Sequence, residues 1–438
     1  MTRTAIGRAA LLPLAAAVLA SAWPAGAEPG VSALSGAEAL KPFFQALHAL
    51  KDGQRTTPVE ILQIGDSHTA GDFISSGVRA RLQARFGEAG RGVLPPGTPF
   101  KFYGPRQVDV TQSDGWRMEP SFPMTPGKPS VFGLSGWRLV STRPGATVTM
   151  SADPEALFDR ARLCALAEPG AGELVVVAGA SVTRIALGKG QAGPRCVSIH
   201  LANPEKTLKI TAEGRPVTLL SFGTWRWRAG VSLSNLGVIG TELLDFAARD
   251  DGILKAELEA YHPQLILLAY GTNDGSRKLL DAASYEQLMR EQIRRLKRLA
   301  PGAAILVMGP PDSNTTRPDI PEDGVHDLNF ACAPLEPAEL ADYAGRVAAK
   351  DPALARWYPA PNLAPVREAQ RRAAAAEGVA FWDWSARMGG PCTAHKLSRP
   401  GVGLMRGDHV HFTNDGGDMI AGMLTDDLMA AYAAGGGS

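Results

Sequence analysis

Charge of either sign is nearly balanced in this chain. Forty-five Lys and Arg face forty-four Asp and Glu, a formal net charge of +1. No acidic or basic excess points to nucleic acid or to an anionic membrane surface as a partner. Cysteine is scarce, with Cys164, Cys196, Cys332 and Cys392 only, and no Cys-x-x-Cys occurs. That spacing speaks against a zinc site and against thioredoxin-like chemistry. Long apolar runs are also missing, apart from Ala9 to Trp23 near the start. This run is shorter than the roughly 20 residues a spanning helix needs. It follows Arg3 and Arg8 and precedes Ala25-Gly26-Ala27. Residues 1–27 are therefore expected to be a secretory signal peptide, which places the mature protein in the periplasm or outside the cell, without stable membrane insertion. Four cysteines in an exported chain suggest disulfides, and spacing favours Cys164–Cys196 and Cys332–Cys392.

What is present is a change of texture along the chain. Gly36 to Lys51 has a helical apolar face, and Val59 to Ile64 is an apolar strand ending in Gly65-Asp66-Ser67. Gly77 to Phe86 reads as the next helix. From about Gly90 to Trp227, Gly, Pro, Ser and Thr separate short alternating stretches such as Thr147-Val148-Thr149 and Leu208-Lys209-Ile210. These predict a β-sandwich. After Gly230 the chain alternates helices (241–259, 285–299, 366–377) with apolar strands (265–270, 304–311, 379–384). Such alternation predicts a parallel sheet covered on both faces. The expected division is 28–99 and 229–434 for one α/β domain, with 100–228 inserted as the sandwich. Residues 313–362 form a second, Pro-rich excursion of no assigned structure, and Gly435 to Ser438 reads as a disordered or artificial tail.

Three places carry chemistry. Ser67 follows a strand at its carboxyl end, where open α/β sheets place ligands. Alone it is an ordinary turn serine. Asn273, in Gly271-Thr272-Asn273-Asp274, follows another strand, and its amide can donate to a developing oxyanion; alone it is an Asx-turn residue. Asp408 stands three residues before His411, so its carboxylate can fold back on the ring and leave Nε2 free to accept a serine proton. His409 competes for that role but adjoins Asp408 and is expected to point away. A metal site from Asp408, His409 and His411 lacks a fourth ligand at sensible spacing. His68, next to Ser67, is read as substrate-side or structural.

The blocks Gly65-Asp66-Ser67, Asn235-Leu236-Gly237-Val238-Ile239-Gly240, Gly271-Thr272-Asn273-Asp274 and Asp408-His409-Val410-His411 resemble, in order, the four signature blocks of the SGNH/GDSL hydrolases. His68 stands where a Leu would complete the literal Gly-Asp-Ser-Leu. The resemblance implies a flavodoxin-like three-layer α/β domain and no cofactor. It implies Ser67 as nucleophile, His411 as base and Asp408 as orienter. The oxyanion hole would be the Ser67 N–H, the Gly240 N–H (with Gly237 as runner-up) and the Asn273 amide. A narrower likeness lies in Gln63 to Asp72, Gly90 to Gly97 and Phe381 to Gly390, which resemble the periplasmic O-acetylpeptidoglycan esterases of Gram-negative bacteria. Those enzymes carry a carbohydrate-binding-module-like sandwich after the serine block. The partner implied is an acetylated glycan, peptidoglycan foremost, with Trp137, Trp225 and Trp227 as candidates for stacking on sugars or for plain core. An O-acetyltransferase, a lipid esterase or thioesterase, and a non-catalytic glycan-binding protein remain the alternatives.

Overall fold

A computed structural model describes residues 33–123, 130–277, 279–317 and 331–435. Residues 1–27, read from sequence as a signal peptide, and residues 436–438 of the expected tail lie outside the described residues. At the centre is a six-stranded sheet in the order Leu34–Ser35, Ala380–Trp382, Ala304–Met308, Leu265–Ala269, Pro58–Gly65, Gly230–Gly237. All neighbours are parallel except the short first strand, which runs antiparallel to Ala380–Trp382. Taken by chain position, the five parallel strands are ordered 2-1-3-4-5, the flavodoxin-like order, whose switch point lies between the first and third strands. Ser67 follows the first of these strands and Asn273 the third.

Each strand is apolar because it is covered on both faces. Ile61, Leu233, Leu267 and Leu306 face one core with the helices Lys41–Lys51, Phe73–Phe86 and Asn414–Gly435. Leu62, Leu236, Ile266 and Val307 face another with Asp251–Tyr261, Ala282–Leu299 and Leu363–Ala376. The alternation of faces along each strand follows from the two-residue period. The helix expected over 241–259 is two helices, Leu243–Ala247 and Asp251–Tyr261. The break comes where the Asp250 carboxylate accepts the Ile253 N–H at 2.8 Å and caps the second helix.

Between the serine strand and Gly230–Gly237 the chain forms two antiparallel sheets. One has five strands, ordered Ser181–Ala186, Glu173–Ala178, Thr207–Glu213, Thr147–Ala152, Val108–Gln112. The other runs Gly193–Glu205, Phe158–Ala167, Thr218–Trp225, Trp137–Ser141, Trp116–Pro120, with Gly92–Leu94 also paired to Thr218–Trp225. Val148, Val176, Ile210, Leu163 and Phe222 fill the core between them. Thr218–Trp225 is buried throughout. Leu219 and Phe222 point into the sandwich, whereas Leu220 and Trp225 point into the α/β core. The sandwich is thus packed against the parallel-sheet layer along a whole strand. Trp137 and Trp225 are core residues: Trp137 Nε1 donates to Gly237 O at 3.1 Å and Trp225 Nε1 to Glu60 at 2.7 Å. Trp227 is partly exposed, but it lies just before Gly230, at the amino end of the parallel strand, opposite Ser67.

Disulfides join Cys164 to Cys196 and Cys332 to Cys392. The first crosses two paired sandwich strands. The second ties the excursion to the turn before the helix Thr393–Ser398. The described part of that excursion holds two short helices, Pro337–Ala341 and Tyr343–Ala349, and a two-residue pairing of Asn314–Thr315 with Tyr358–Pro359.

Candidate functional site

Gly65 ends the serine strand because nothing larger fits. A Cβ there would stand 2.3 Å from Ala269 O and 2.4 Å from Thr69 Oγ1. This close approach lets the chain turn at once into the four-residue helix Ser67–Ala70. Asp66 caps it, its buried carboxylate accepting the His68 N–H at 3.0 Å. Ser67 Oγ is 2.9 Å from His411 Nε2, and His411 Nδ1 is 2.8 Å from Asp408 Oδ2. The other Asp408 oxygen accepts the N–H groups of Val410 and His411, both at 2.9 Å. Partial burial pushes the Asp408 carboxyl up, but these N–H donors and the His411 ring outweigh it and hold it below the usual carboxylate range. An ionised Asp408 on Nδ1 fixes the tautomer in which Nε2 accepts a proton from Ser67.

The competing histidines are committed elsewhere. His409 has a φ of 54°, which turns it out of the line of its neighbours. Its ring stacks on Trp357 at 3.5 Å between centroids. Burial, with His395 alongside, pushes its pKa down to about 4. His68 is buried, and its Nε2 donates to Val410 O at 2.9 Å while Nδ1 lies 3.4 Å from Asp66. Burial would lower its pKa, but the Asp66 carboxylate and the Val410 carbonyl outweigh burial and raise it. His68 therefore ties the serine block to the loop that carries His411, and it also lines the cavity on which Ser67 opens.

Gly240 has a φ of 80°, a left-handed turn that a glycine takes without strain. Asn273 donates one amide N–H to Thr241 O at 2.9 Å, and Asp274 accepts the Leu243 N–H at 3.2 Å. The two residues clamp the turn that carries Gly240. Among the described residues the second amide hydrogen of Asn273 is uncommitted, and neither Gly240 nor Asn273 bonds Ser67 or His411.

Sequence reasoning passed over the support beneath Ser67. Asp72 accepts from Arg79 at 2.7 Å, Arg91 at 3.1 Å, Ser75 at 2.6 Å and the Arg106 N–H at 2.9 Å, all but the last from buried side chains. Arg91 also donates to Asn235 Oδ1 at 2.6 Å, and Asn235 donates to Thr69 O at 3.0 Å, inside the serine helix. The only sequence signal was that Asp72, Arg91 and Asn235 fall in the quoted blocks.

Ser67 and His411 open on a cavity of about 310 Å³. Its walls are mostly apolar, with Phe73, Ile74, Phe100, Phe102, Ile239 and Phe412 among them. Phe100, Phe102 and Gly104 come from the stretch assigned to the insertion, so that stretch shapes the cleft itself. A serine hydroxyl, a histidine ring and a carboxylate in one hydrogen-bonded line beside a mostly apolar wall are an arrangement suited to acyl transfer through a covalent intermediate.

Residues 221–418 match the family described as GDSL-like lipase/acylhydrolase. No curated protein matches the chain. A solved structure described as a peptidoglycan O-acetylesterase in action is 24% identical, with a TM-score of 0.71, covering 92% of this chain and 99% of that one. It shares the SGNH fold. A family two carbohydrate esterase from Cellvibrio japonicus, 14% identical with a TM-score of 0.27, covers 74% of this chain and 98% of its own. The corresponding Clostridium thermocellum enzyme, solved with cellohexaose, is 12% identical with a TM-score of 0.25, covering 72% and 98%.

Proposed function

We propose that this chain, which has an SGNH fold, is a carboxylic ester hydrolase that removes O-acetyl groups from a cell-envelope polysaccharide, foremost peptidoglycan, through Ser67, His411 and Asp408. The observation that carries this is the unbroken relay Ser67 Oγ–His411 Nε2, His411 Nδ1–Asp408, standing at the mouth of a cavity. Ser67 Oγ attacks the acetyl carbonyl carbon as its proton passes to His411 Nε2. The Ser67 and Gly240 N–H groups and the free amide hydrogen of Asn273 receive the oxyanion. Collapse breaks the bond to the sugar oxygen, which takes the proton back from His411 and leaves. Water then attacks the acetyl-enzyme, His411 again takes a proton, and acetate departs with Ser67 restored. No metal or organic cofactor enters these steps.

The likeness to the peptidoglycan O-acetylesterase structure over nearly its whole length supports the substrate class. We assign residues 28–99 and 229–434 to the catalytic domain, 100–228 to the inserted sandwich, and the mature protein to the periplasm or exterior. The test is acetate release from O-acetylated peptidoglycan against acetylated xylan. Release from neither, or a loss of activity in EDTA that zinc restores, overturns the reading. The apolar cavity favours one second reading, an esterase or thioesterase for longer acyl chains. Octanoyl nitrophenyl ester turning over faster than the acetyl ester would decide for it.

A further inference from the structure

One cation, Arg406, lines the cavity beside Ser67, and a second, Lys101, stands next to one of its wall residues. The Arg406 guanidinium lies 5.6 Å from the centroid of the Phe73 ring, itself a wall residue. Lys101 lies 5.4 Å from the centroid of Phe102, the wall residue from the facing segment, which is 84% exposed. Both cations are exposed, and among the described residues neither has a carboxylate partner. Most other arginines near the site are spoken for: Arg79 and Arg91 pair with Asp72, and Arg81 with Asp418. The one carboxylate close by, Asp408, is held by His411 and by two backbone N–H groups, which leaves both cations without a partner among the described residues. No Asp or Glu is among the residues that line the cavity.

An aromatic ring under a cation holds the charge in place while leaving its N–H donors free. The exposed rings offer flat apolar faces of the kind that sugars cover. We propose that Arg406 and Lys101 form an anion-reading subsite for the alcohol side of the ester, so that this enzyme prefers acetylated glycans bearing carboxylates over neutral ones. The proposal rests on the deacetylase reading above and narrows its substrate. Peptidoglycan strands carry such carboxylates on their peptide stems, whereas a neutral xylan backbone does not. Arg406 is the stronger partner, since its planar fork can take a carboxylate through two parallel N–H bonds. Its backbone already holds the base loop, N–H to His411 O at 2.8 Å and O to the His409 N–H at 3.0 Å. Those bonds survive replacement of the side chain.

The experiment measures inhibition of nitrophenyl acetate hydrolysis, so it needs no acetylated natural substrate. The probes are a peptidoglycan disaccharide-peptide without acetyl groups and the same molecule with its carboxylates converted to amides. The wild-type enzyme should bind the acidic probe about 3- to 10-fold more tightly at low salt, the range expected for exposed charge pairs. That ratio should fall towards one at high salt, where the charges are screened. It should also fall towards one in the double variant Arg406→Gln, Lys101→Gln, with Arg406→Lys keeping part of it. Lys209→Gln, on the sandwich, should retain the full ratio. Equal binding of both probes by the wild type, binding of neither, or a preference that persists in the double variant would overturn the proposal. Failure to release acetate from peptidoglycan, with the probe ratio intact, would instead remove the deacetylase reading and leave the anion subsite standing.

Discussion

His411, His409 and His68 lie within one small volume, yet their environments give them separate tasks. His411 alone reaches Ser67, so Ser67→Ala and His411→Ala should each cut ester turnover by about 10³-fold or more, with the fold retained by circular dichroism. Asp408→Asn should be comparably severe, because an amide can donate to Nδ1 and select the wrong tautomer. His409→Ala should keep measurable turnover, since the ring faces Trp357 and not Ser67. A dead His409→Ala beside an active His411→Ala would reverse the assignment of the base. His68 calls for a finer reading. Its bond to Val410 O sets the His411 loop against the serine helix. His68→Ala should leave turnover measurable but about 10-fold lower in kcat with little change in KM, a misplacement effect. A rise in KM alone would mean that His68 touches substrate instead.

At the scale of elements, the base loop is braced from outside the α/β layers. Trp357, in the excursion, stacks on His409, and the Asn314 N–H donates to His409 O at 3.1 Å. Cys332–Cys392 ties this excursion down across 60 residues of chain. Cys332→Ser paired with Cys392→Ser should cost about 2–4 kcal/mol of stability, read from the urea midpoint. It should also lower kcat, because the His409 support loosens. Peptide mapping without reduction should show the two bridges described; a peptide joining Cys196 to Cys332 would contradict them.

At the scale of the whole molecule, the two layers meet through buried carboxyls. Glu60, in the serine strand, is fully buried and accepts from Trp225 of the sandwich and from Ser232. Burial pushes its pKa to about 7, against the hydrogen bonds that would lower it. The folded state thus holds a proton that the unfolded chain releases near pH 4.5. The contribution of Glu60 is fully present below that pH, falls as pH rises to about 7, and is constant above. Burial of this group should cost on the order of 3 kcal/mol between pH 4.5 and 8. Glu60→Gln keeps an acceptor for Trp225 and Ser232, so it should flatten that fall. Urea midpoints of both proteins at pH 5 and pH 8 measure it, and parallel pH dependence in the two would place the titration elsewhere.

The sequence by itself determined the parallel sheet, because strands such as Leu265–Ala269 are apolar on both faces and can only be buried strands. It determined the sandwich from alternation, and it brought Ser67, Asp408 and His411 forward because each ends an element or opens a loop. Both disulfides were legible in the spacing of four cysteines. Tertiary structure decided what depends on distant partners. The left-handed backbone at His409 and its stacking on Trp357, some fifty residues away, settled which histidine faces Ser67. Trp137 and Trp225 became core because the sandwich packs its Thr218–Trp225 strand against the α/β layer, and nothing local to a tryptophan records that. Phe100 and Phe102 became walls of the cleft for the same reason. The buried link from Asp72 through Arg91 and Asn235 to Thr69 joins residues up to 166 positions apart in numbering. Charged side chains read in sequence as surface, and only the enclosed space between layers turns them into a support for the nucleophile.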